Sequence, residues 1–341
     1  MKAIQITQPP LFELAHLPDP ECGPDQVVVR TAYCGLCGTD LSILNGAMPP
    51  GFARYPVVPG HEWTGVVEEV GPGVTTCRAG DRVSVEGYLP CGRCAACRIG
   101  EFNRCHEHQQ IGMTHNGGFA EYVAAPARSC HIVPDHVGLD AALMVEPAST
   151  VVRGFERARP QPGAKVAIVG CGPIGLIAAR VAGLYDPAFI LGIDVAGTQE
   201  SLAVRAGVTR FTTSNDVREL CDSSGSSGWD VVVNCAHGLR PLELAFQIVR
   251  SGGTVVVIGG APDEEQFQMS AHALVLRDLH IEGILGYTTR SWVQALDLLA
   301  GGKLKLEDLI THRTRLDQFA DALRFLQSRS EPTGKVAVSF I

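Results

Sequence analysis

The sequence predicts an α/β protein of two domains, one of which is built on a doubly wound parallel sheet. Its 341 residues are roughly twice the length of a common domain. Short β-prone runs separated by Gly, Pro and Asp turns extend to about residue 145, and strands then alternate with helices from Gly163 onwards. A glycine-rich turn follows the first of these later strands, and this alternation is typical of a parallel sheet covered by helices.

The individual elements follow from local patterns. The β-prone runs of the first part lie at 27–29, 65–70, 82–85 and 120–124. Apolar runs in the second part predict strands at 165–169, 190–193, 230–233, 253–258 and 279–285. Helices are predicted between them at 173–184, 200–206 and 241–249. From Trp292 the pattern predicts amphipathic helices and then a closing strand at 335–338.

Composition and charge exclude several classes of function. The net charge is −8 and no basic block is present, which argues against a nucleic acid or an anionic membrane as the main partner. The first ten residues lack the apolar core of a signal peptide, and no apolar run approaches the roughly 18–20 residues of a membrane span. These observations predict a soluble protein of the cytoplasm.

The glycine-rich turn, Gly-Cys-Gly-Pro-Ile-Gly, fits the pattern of dinucleotide-binding proteins. Gly170 would permit the tight turn, Gly172 would let backbone N–H groups approach the pyrophosphate, and Gly175 would allow close packing of helix on strand. The helix N-terminus would supply partial positive charge to the phosphates. The predicted cofactor-binding residues are Gly170, Gly172, Pro173, Ile174, Gly175 and Asp194.

Asp194 ends the next predicted strand, where a carboxylate would accept hydrogen bonds from the adenosine ribose and repel a 2′-phosphate. No Lys or Arg follows at 195–198. The sequence therefore predicts NAD rather than NADP. The alternative is a structural turn with a solvated aspartate.

Four of the twelve cysteines lie within fifteen residues, in the spacing C-x2-C-x2-C-x7-C. They are Cys91, Cys94, Cys97 and Cys105. Four thiolates suit a closed, tetrahedral structural zinc site. A redox pair, a disulfide and a nucleic-acid zinc knuckle are the alternatives.

A second candidate zinc site consists of Cys37, His61 and Glu62, with Glu146 further along the chain. A thiolate, an imidazole and a carboxylate leave one tetrahedral position open, as catalytic zinc requires. The alternatives are a buried thiol at Cys37 and a surface or helix-capping pair at His61 and Glu62.

Five motifs occur in the order found in the zinc-dependent medium-chain dehydrogenases. They are Cys-Gly-Leu-Cys-Gly-Thr-Asp at 34–40, Gly-His-Glu-Trp-Thr-Gly-Val-Val at 60–67, the four cysteines, Gly-Gly-Phe-Ala-Glu-Tyr at 117–122 and Val-Glu-Pro at 145–147. With the dinucleotide turn and a closing Thr-Gly-Lys-Val at 333–336, the resemblance covers essentially the whole chain. The chain resembles the polyol and threonine dehydrogenase branch most, and residues 39–42 and 55–63 resemble dehydrogenases of aminocyclitols and aminoglycosides.

The resemblance implies a fold and its boundaries. A GroES-like, β-rich catalytic domain would comprise residues 1–148 and 287–341 and carry a zinc lobe at about 88–108. A Rossmann domain that binds NAD would comprise residues 149–286. Two zinc ions per subunit, one catalytic and one structural, and a homodimer or homotetramer are implied as well.

The resemblance also implies roles for single residues. Cys37 and His61 match the catalytic zinc ligands, and Glu146 matches the third ligand of the polyol branch. Glu62 matches a carboxylate that ligates the metal directly or through water. Asp40 matches the carboxylate that orients the histidine ligand.

Thr39 matches the hydroxyl that takes the substrate proton. Many relatives have His at the position of Ser42, where it ends the proton relay, so the resemblance does not assign an exit route for the proton in this chain. The substrate side of a cleft between the domains is predicted to include Trp63, His115, Asn116 and Tyr287, because they lie next to the motifs in the chain. Ordinary core aromatics are the alternative for Trp63 and Tyr287.

These roles imply oxidation of a secondary alcohol to a ketone, with zinc lowering the pKa of the substrate hydroxyl and hydride passing to NAD. The implied substrate is a polyol, a sugar, or an aminocyclitol or aminoglycoside hydroxyl, the last two in antibiotic biosynthesis. L-Threonine or sorbitol is the alternative substrate. More distant alternatives are a non-catalytic protein that binds zinc and NAD, and a nucleic-acid-binding zinc protein.

Overall fold

The computed structural model describes residues 1–107, 109–225, 227–260, 265–328 and 330–341. The chain forms two compact units. The first comprises Met1–Glu146, Thr288–Ser328 and Lys335–Ile341, and the second comprises Pro147–Tyr287 and Arg329–Gly334. The segment Arg329–Gly334 therefore belongs to the second unit. The catalytic domain expected from the sequence, residues 1–148 and 287–341, included this segment. Residue 108, at the expected limit of the zinc lobe, lies outside the described residues.

Strands and helices are numbered along the chain. The strands are β1 (Lys2–Gln8), β2 (Leu11–His16), β3 (Gln26–Leu36), β4 (Glu62–Val70), β5 (Arg82–Val85), β6 (Tyr88–Leu89), β7 (Gln109–Gln110), β8 (Tyr122–Pro126), β9 (Cys130–Ile132), β10 (Lys165–Val169), β11 (Phe189–Ile193), β12 (Arg210–Thr212), β13 (Trp229–Asn234), β14 (Val249–Val257), β15 (His280–Gly283), β16 (Ile310–Arg315) and β17 (Lys335–Ser339). The helices are α1 (Gly38–Leu44), α2 (Ala95–Arg98), α3 (Leu139–Leu143), α4 (Val145–Ala158), α5 (Pro173–Ala182), α6 (Glu200–Arg205), α7 (Val217–Asp222), α8 (Leu239–Ile248), α9 (Ala271–Arg277), α10 (Thr289–Ala300) and α11 (Phe319–Gln327).

The first unit is built on a sheet with the strand order β16-β17-β3-β4-β5-β9, and β8 also pairs with β3. The long strand β3 is antiparallel to β17, β4 and β8. Its C-terminal end pairs Leu36 with Val336 on one side and Gly35 with Glu62 on the other. The ends of β3, β4 and β17 that carry the candidate metal site therefore lie side by side.

The second unit is built on a parallel sheet with the strand order β12-β11-β10-β13-β14-β15. The order reverses between β10 and β13, as it does in doubly wound dinucleotide-binding folds. Its core is formed by apolar residues of these strands and the covering helices, among them Val169, Leu191, Trp229 and Phe246. The predicted fold class is confirmed.

Two differences from the predicted elements have local causes. Val249 was expected to end a helix, but it begins β14, because it pairs with Trp229 of β13 ahead of a shift in the register of the two strands. Helix α9 was not predicted, because its sequence has no apolar stripe of the kind that marks an amphipathic helix. Most of its apolar side chains, among them Val275 and Leu276, are exposed. Among the described residues, no helix has the length and apolarity needed to cross a bilayer.

Candidate active site and metal sites

Cys37 lies at the junction between β3 and α1, where it is the N-cap of the helix. Its backbone N–H donates a hydrogen bond of 2.8 Å to Oδ2 of Asp40, the third residue of the helix. A carboxylate at this position satisfies a backbone N–H that the helix itself leaves free. The local sequence therefore holds the Cys37 thiol at a fixed point at the end of the central strand.

His61 is placed by the residue before it. Gly60 has a φ of +98°, a conformation that favours glycine, and a Cβ there would lie 2.6 Å from the Cys34 sulfur. The Gly60 N–H donates to Oδ1 of Asp40 at 3.2 Å. Asp40 thus connects the segment that carries Cys37 to the segment that carries His61.

The donor atoms of Cys37, His61 and Glu62 lie within 4.8 Å of one another. Nδ1 of His61 is buried and lies 3.6 Å from Oδ1 of Asp40, which leaves Nε2 as the ring nitrogen that a metal ion could bind. A thiolate, an imidazole nitrogen and a carboxylate oxygen at these separations fit a zinc ion, with Asp40 orienting the histidine from behind. The structure brings the three predicted residues together.

Charge in this site is concentrated in a buried environment. Burial by itself lowers the pKa of His61, but the Asp40 carboxylate and the Cys37 sulfur raise it, and the pKa lies well above the ordinary range of histidine. A metal ion bound at Nε2 would replace the proton on this ring.

Glu62 is neutralised by a lysine that the sequence analysis assigned to no role. Nζ of Lys335 lies 2.8 and 2.6 Å from the two carboxylate oxygens of Glu62, and the residues are 2% and 1% exposed. The Glu62 carboxylate raises the pKa of Lys335 even though burial lowers it. The Glu62 carboxylate therefore contacts the Lys335 ammonium group and is also one of the donors at the candidate metal position.

Glu146 lies in the first turn of α4 and is 8% exposed. It falls outside the group of donors within 4.8 Å of one another, but its carboxyl group interacts electrostatically with His61 and Glu62. Burial raises the pKa of Glu146 to about 7, and the charge of Glu62 adds to this effect while that of His61 opposes it. The charges of the site therefore reach Glu146, but the structure does not bring it into the donor group as the predicted third ligand.

Thr39 lies beside the metal position, since its Oγ1 is 3.7 Å from the Cys37 sulfur. Ser42, one turn further along α1, donates its hydroxyl hydrogen to the carbonyl of Gly38 at 3.4 Å. The structure therefore brings Thr39 to the site, and it does not bring Ser42 into the group of donors.

The four predicted cysteines of the lobe also converge. The sulfur of Cys97 lies 3.9 Å from that of Cys91 and 3.4 Å from that of Cys94, and the Cys91 N–H lies 3.4 Å from the Cys105 sulfur. None of the four is in a disulfide. A short helix, α2, begins after Cys94 and turns Cys97 back towards the other thiols. This set of thiols fits a tetrahedral zinc ion.

His106 was not predicted for this lobe. Its ring lies in a group with Cys91, Cys94 and Cys105 in which all donor atoms are within 4.8 Å. The Cys97 backbone N–H and the His106 side chain lower the pKa of Cys94 to about 5, as suits a thiolate ligand. Its position next to Cys105 in the chain was the signal that could have found it.

The dinucleotide turn has the geometry that its glycines predicted. Gly170 has a φ of +91°, and a Cβ there would lie 2.7 Å from that of Ala236. A Cβ on Gly175 would overlap the carbonyl oxygen of Gly170, so helix α5 packs directly on the turn. A Cβ on Gly172 would meet nothing within 4 Å, which leaves open space at the N-terminus of α5 for an anionic group.

Asp194 lies directly after β11. Its Oδ2 accepts the Cys171 N–H at 2.7 Å and its Oδ1 accepts the Ala196 N–H at 2.9 Å. These bonds fix the carboxylate beside the glycine-rich turn. Gln199, which the sequence analysis did not single out, bonds both the N–H and the C=O of Thr333 at 2.9 Å and so ties residues 330–334 to this unit.

The predicted substrate-lining residues fall into two groups. Trp63 and Tyr287 are buried, at 1% and 0% exposure, which fits the alternative of core aromatics. His115 and Asn116 are exposed in a turn that packs on the backbone of Gly60 through Gly117. Asn116 also has a structural role, because its Oδ1 accepts the Val58 N–H at 3.0 Å.

Comparison with known proteins identifies the family. Residues 23–135 match the model of the alcohol dehydrogenase GroES-like domain, and residues 173–301 match that of the zinc-binding dehydrogenases. The chain is 34% identical to an L-threonine 3-dehydrogenase of Saccharopolyspora erythraea, over 100% of this chain and 99% of the relative. The chain belongs to the zinc-binding alcohol dehydrogenase family.

Other members of the family are similar over most of their length. An L-idonate 5-dehydrogenase of Vitis vinifera is 33% identical over 88% of this chain and 83% of the relative. An alcohol dehydrogenase of Escherichia coli, crystallised with NADH, superposes with a TM-score of 0.92 at 27% identity and covers 100% of this chain and 99% of its own. A zinc-binding dehydrogenase of Sinorhizobium meliloti, bound to NADP, has a TM-score of 0.91 at 29% identity, with 99% and 98% covered.

Membership in this family makes the protein an oxidoreductase that acts on a CH–OH group, with zinc and a nicotinamide dinucleotide as its cofactors. The resemblance to zinc-dependent medium-chain dehydrogenases is confirmed at this level. The relatives differ in the substrates they are named for, so family membership does not choose among polyols, sugars, amino alcohols and L-threonine.

Proposed function

We propose that the protein catalyses the NAD-linked oxidation of a secondary alcohol to a ketone on a polyol, a sugar, or an aminocyclitol or aminoglycoside. The observation that carries this proposal is the group formed by the half-buried Cys37 and the buried His61 and Glu62, with the Thr39 hydroxyl 3.7 Å from the Cys37 sulfur. A zinc ion bound there would act as a Lewis acid on the substrate hydroxyl.

The residues of the chain have separate tasks in this reaction. Asp40 accepts hydrogen bonds from the backbone of Cys37 and Gly60 and faces His61, so it fixes two ligand-bearing segments at once. Thr39 Oγ1 receives the substrate proton. Because the Ser42 hydroxyl donates to the carbonyl of Gly38, the proton would leave Thr39 through water, or through the ribose of a bound cofactor, rather than through Ser42.

NAD is the proposed cofactor. The Asp194 carboxylate is held by two backbone N–H groups beside the dinucleotide turn, which suits two ribose hydroxyls and disfavours a 2′-phosphate. No basic residue follows it at 195–198. Since one structural neighbour was crystallised with NADP, the preference requires a direct test.

A second candidate function is the oxidation of L-threonine or sorbitol. The 34% identity to a protein named L-threonine 3-dehydrogenase, over the full length of this chain, favours L-threonine. A protein named sorbitol dehydrogenase, from Bacillus subtilis, is 28% identical over 97% of the chain. The aminocyclitol proposal depends on the short stretches 39–42 and 55–63.

The test is NADH formation by the zinc-loaded protein with four groups of alcohols: simple secondary alcohols, open-chain polyols including sorbitol, L-threonine, and amino-substituted cyclitols or aminoglycosides. Turnover confined to the last group would support a biosynthetic role in antibiotic chemistry. Turnover of L-threonine or sorbitol would contradict an aminocyclitol or aminoglycoside substrate, but the proposed oxidation of a secondary alcohol would stand. Thr39→Val is the matched control, because it removes the proton acceptor and leaves the metal ligands in place.

We also propose a homodimer or homotetramer in the cytoplasm. Strand β15 is at the edge of the parallel sheet, and the exposed apolar residues Val275, Leu276, Ile281 and Leu285 lie on or near it. Thiol clusters that must stay reduced to bind zinc suit a reducing compartment. Light scattering of the purified protein measures the oligomeric state directly.

A further inference from the structure

The zinc lobe, defined here as residues 88–107, has more donors than one tetrahedral ion uses. The sulfurs of Cys91, Cys94 and Cys105 and a ring nitrogen of His106 lie within 4.8 Å of one another. The sulfur of Cys97 lies 3.9 and 3.4 Å from the sulfurs of Cys91 and Cys94. Since structural zinc takes four ligands, Cys97 and His106 are two candidates for one position.

The two candidates have different surroundings. Cys97 is buried on α2, and its N–H donates to the Cys94 sulfur at 3.5 Å. His106 is on the surface, and its Nε2 lies 3.9 Å from Oε1 of Glu107, whose carboxylate is held by Arg93 at 2.6 Å. A carboxylate beside the ring is a common way to orient a metal-binding histidine.

We infer that the fourth position of the lobe zinc is shared between Cys97 and His106. With His106 as the ligand, a ring nitrogen of the neutral imidazole would supply the fourth lone pair, and the Cys97 thiolate would be released and would take a proton from solvent. No electrons are transferred, and the charge of the metal and its ligands becomes less negative by one. The lobe therefore keeps its metal when Cys97 is protonated, alkylated or replaced.

The first test uses full-length variants in a Cys37→Ala background, so that the lobe is the main site for metal. We compare Cys97→Ser, His106→Ala and the double variant, each loaded with cobalt(II). Cys97→Ser is expected to keep one metal ion, with an absorption spectrum that shows three sulfurs and one nitrogen. The double variant keeps only three donors and should bind the metal at least roughly tenfold more weakly than Cys97→Ser.

Two results would overturn the inference. One is loss of metal from Cys97→Ser to the same extent as from the double variant, which is the result expected if His106 only donates a hydrogen bond to the Cys94 sulfur. The other is equal retention of metal by Cys97→Ser and by the double variant, since His106 would then contribute nothing. This test depends on metal content and spectrum, so it is independent of the proposed alcohol oxidation.

A second measurement does not need a substitution at Cys97. In the zinc-loaded protein with all four cysteines intact, exchange with His106 frees the Cys97 thiol for part of the time. We expect iodoacetamide to label Cys97, measured by mass spectrometry of the peptide, several-fold more slowly in His106→Ala than in the unsubstituted chain. Equal rates in two folded proteins would contradict the shared position, and His136→Ala, a histidine outside the lobe, is the control.

Discussion

Lys335 and Glu62 form a buried ion pair although 273 positions separate them in the chain. Nζ of Lys335 lies 2.6 Å from Oε2 of Glu62, and β3 runs between the strands that carry them. Gly35 of β3 makes this pairing possible, because a Cβ at that position would overlap the Glu62 carboxylate. The pair cancels one of the negative charges collected around the candidate catalytic metal.

Lys335→Met should destabilise the first unit, because it leaves the Glu62 carboxylate buried without its cation. Breaking a buried pair of this kind costs about 3–5 kcal/mol. Lys335→Arg keeps the positive charge and is the control, with a smaller loss due to the larger side chain. The measurement is the thermal unfolding midpoint of the zinc-loaded protein, and equal midpoints for Lys335→Met and the unsubstituted chain would contradict the importance of the pair.

Cys37→Ala should abolish turnover, because it removes a ligand of the metal that activates the substrate hydroxyl. Binding of NADH, measured by fluorescence, should be nearly unchanged, since the dinucleotide turn is in the other unit. Cys22→Ala is the matched control: its thiol donates only to the carbonyl of Gln26 and is in neither metal group. A Cys37→Ala variant with normal kcat would disprove the catalytic-metal assignment.

Two glycines of the dinucleotide turn should respond differently to the same substitution. Gly175→Ala places a methyl group on the carbonyl of Gly170 and should cost about 1–3 kcal/mol of stability. Gly172→Ala meets nothing within 4 Å and should leave the unfolding midpoint close to its original value. Its methyl group would occupy the space proposed for the pyrophosphate, so the Kd for NAD should rise. Unchanged NAD affinity in Gly172→Ala would place the phosphates elsewhere.

Asp194→Gly should shift the cofactor preference towards NADP, because it removes the negative charge that would repel a 2′-phosphate. The ratio of kcat/KM for NADP to that for NAD should rise by roughly tenfold, which corresponds to about 1.4 kcal/mol. Asp216→Gly, which removes an N-cap carboxylate on the same unit, is the control for a general loss of stability. An unchanged ratio would mean that another residue selects the cofactor.

The metal-free protein should lose stability as the pH rises through about 7. The folded pKa of Glu146, about 7, is above the ordinary value of 4.5, so the protonated carboxyl stabilises the fold fully below pH 4.5 and this contribution disappears above the folded pKa. Glu146→Gln, which stays neutral at all these values, should weaken this pH dependence. The measurement is the unfolding midpoint of both metal-free proteins from pH 5 to pH 8. Parallel curves would contradict the raised pKa.

Local sequence patterns predicted much of the fold. Strand β10 and the start of α5 were predicted to the residue, because an apolar run that ends at a glycine turn leaves few other structures possible. The residue types and spacing of Cys91, Cys94, Cys97 and Cys105 likewise indicated a metal site before their positions were known. Burial could not be predicted in the same way, since Trp63 lies next to His61 and Glu62 in the chain but is packed in the core.

The sequence by itself determined the two-part organisation, the dinucleotide turn and the chemical types of the metal donors, because these depend on neighbours within a few residues or on a fixed spacing. Only the tertiary structure decided which distant groups meet. Lys335 is placed against Glu62 by the pairing of β17 and β4 with β3, and His106 is turned towards three cysteine sulfurs by the fold of the lobe. Contacts of this kind depend on strand order and loop path, for which short-range patterns carry no information.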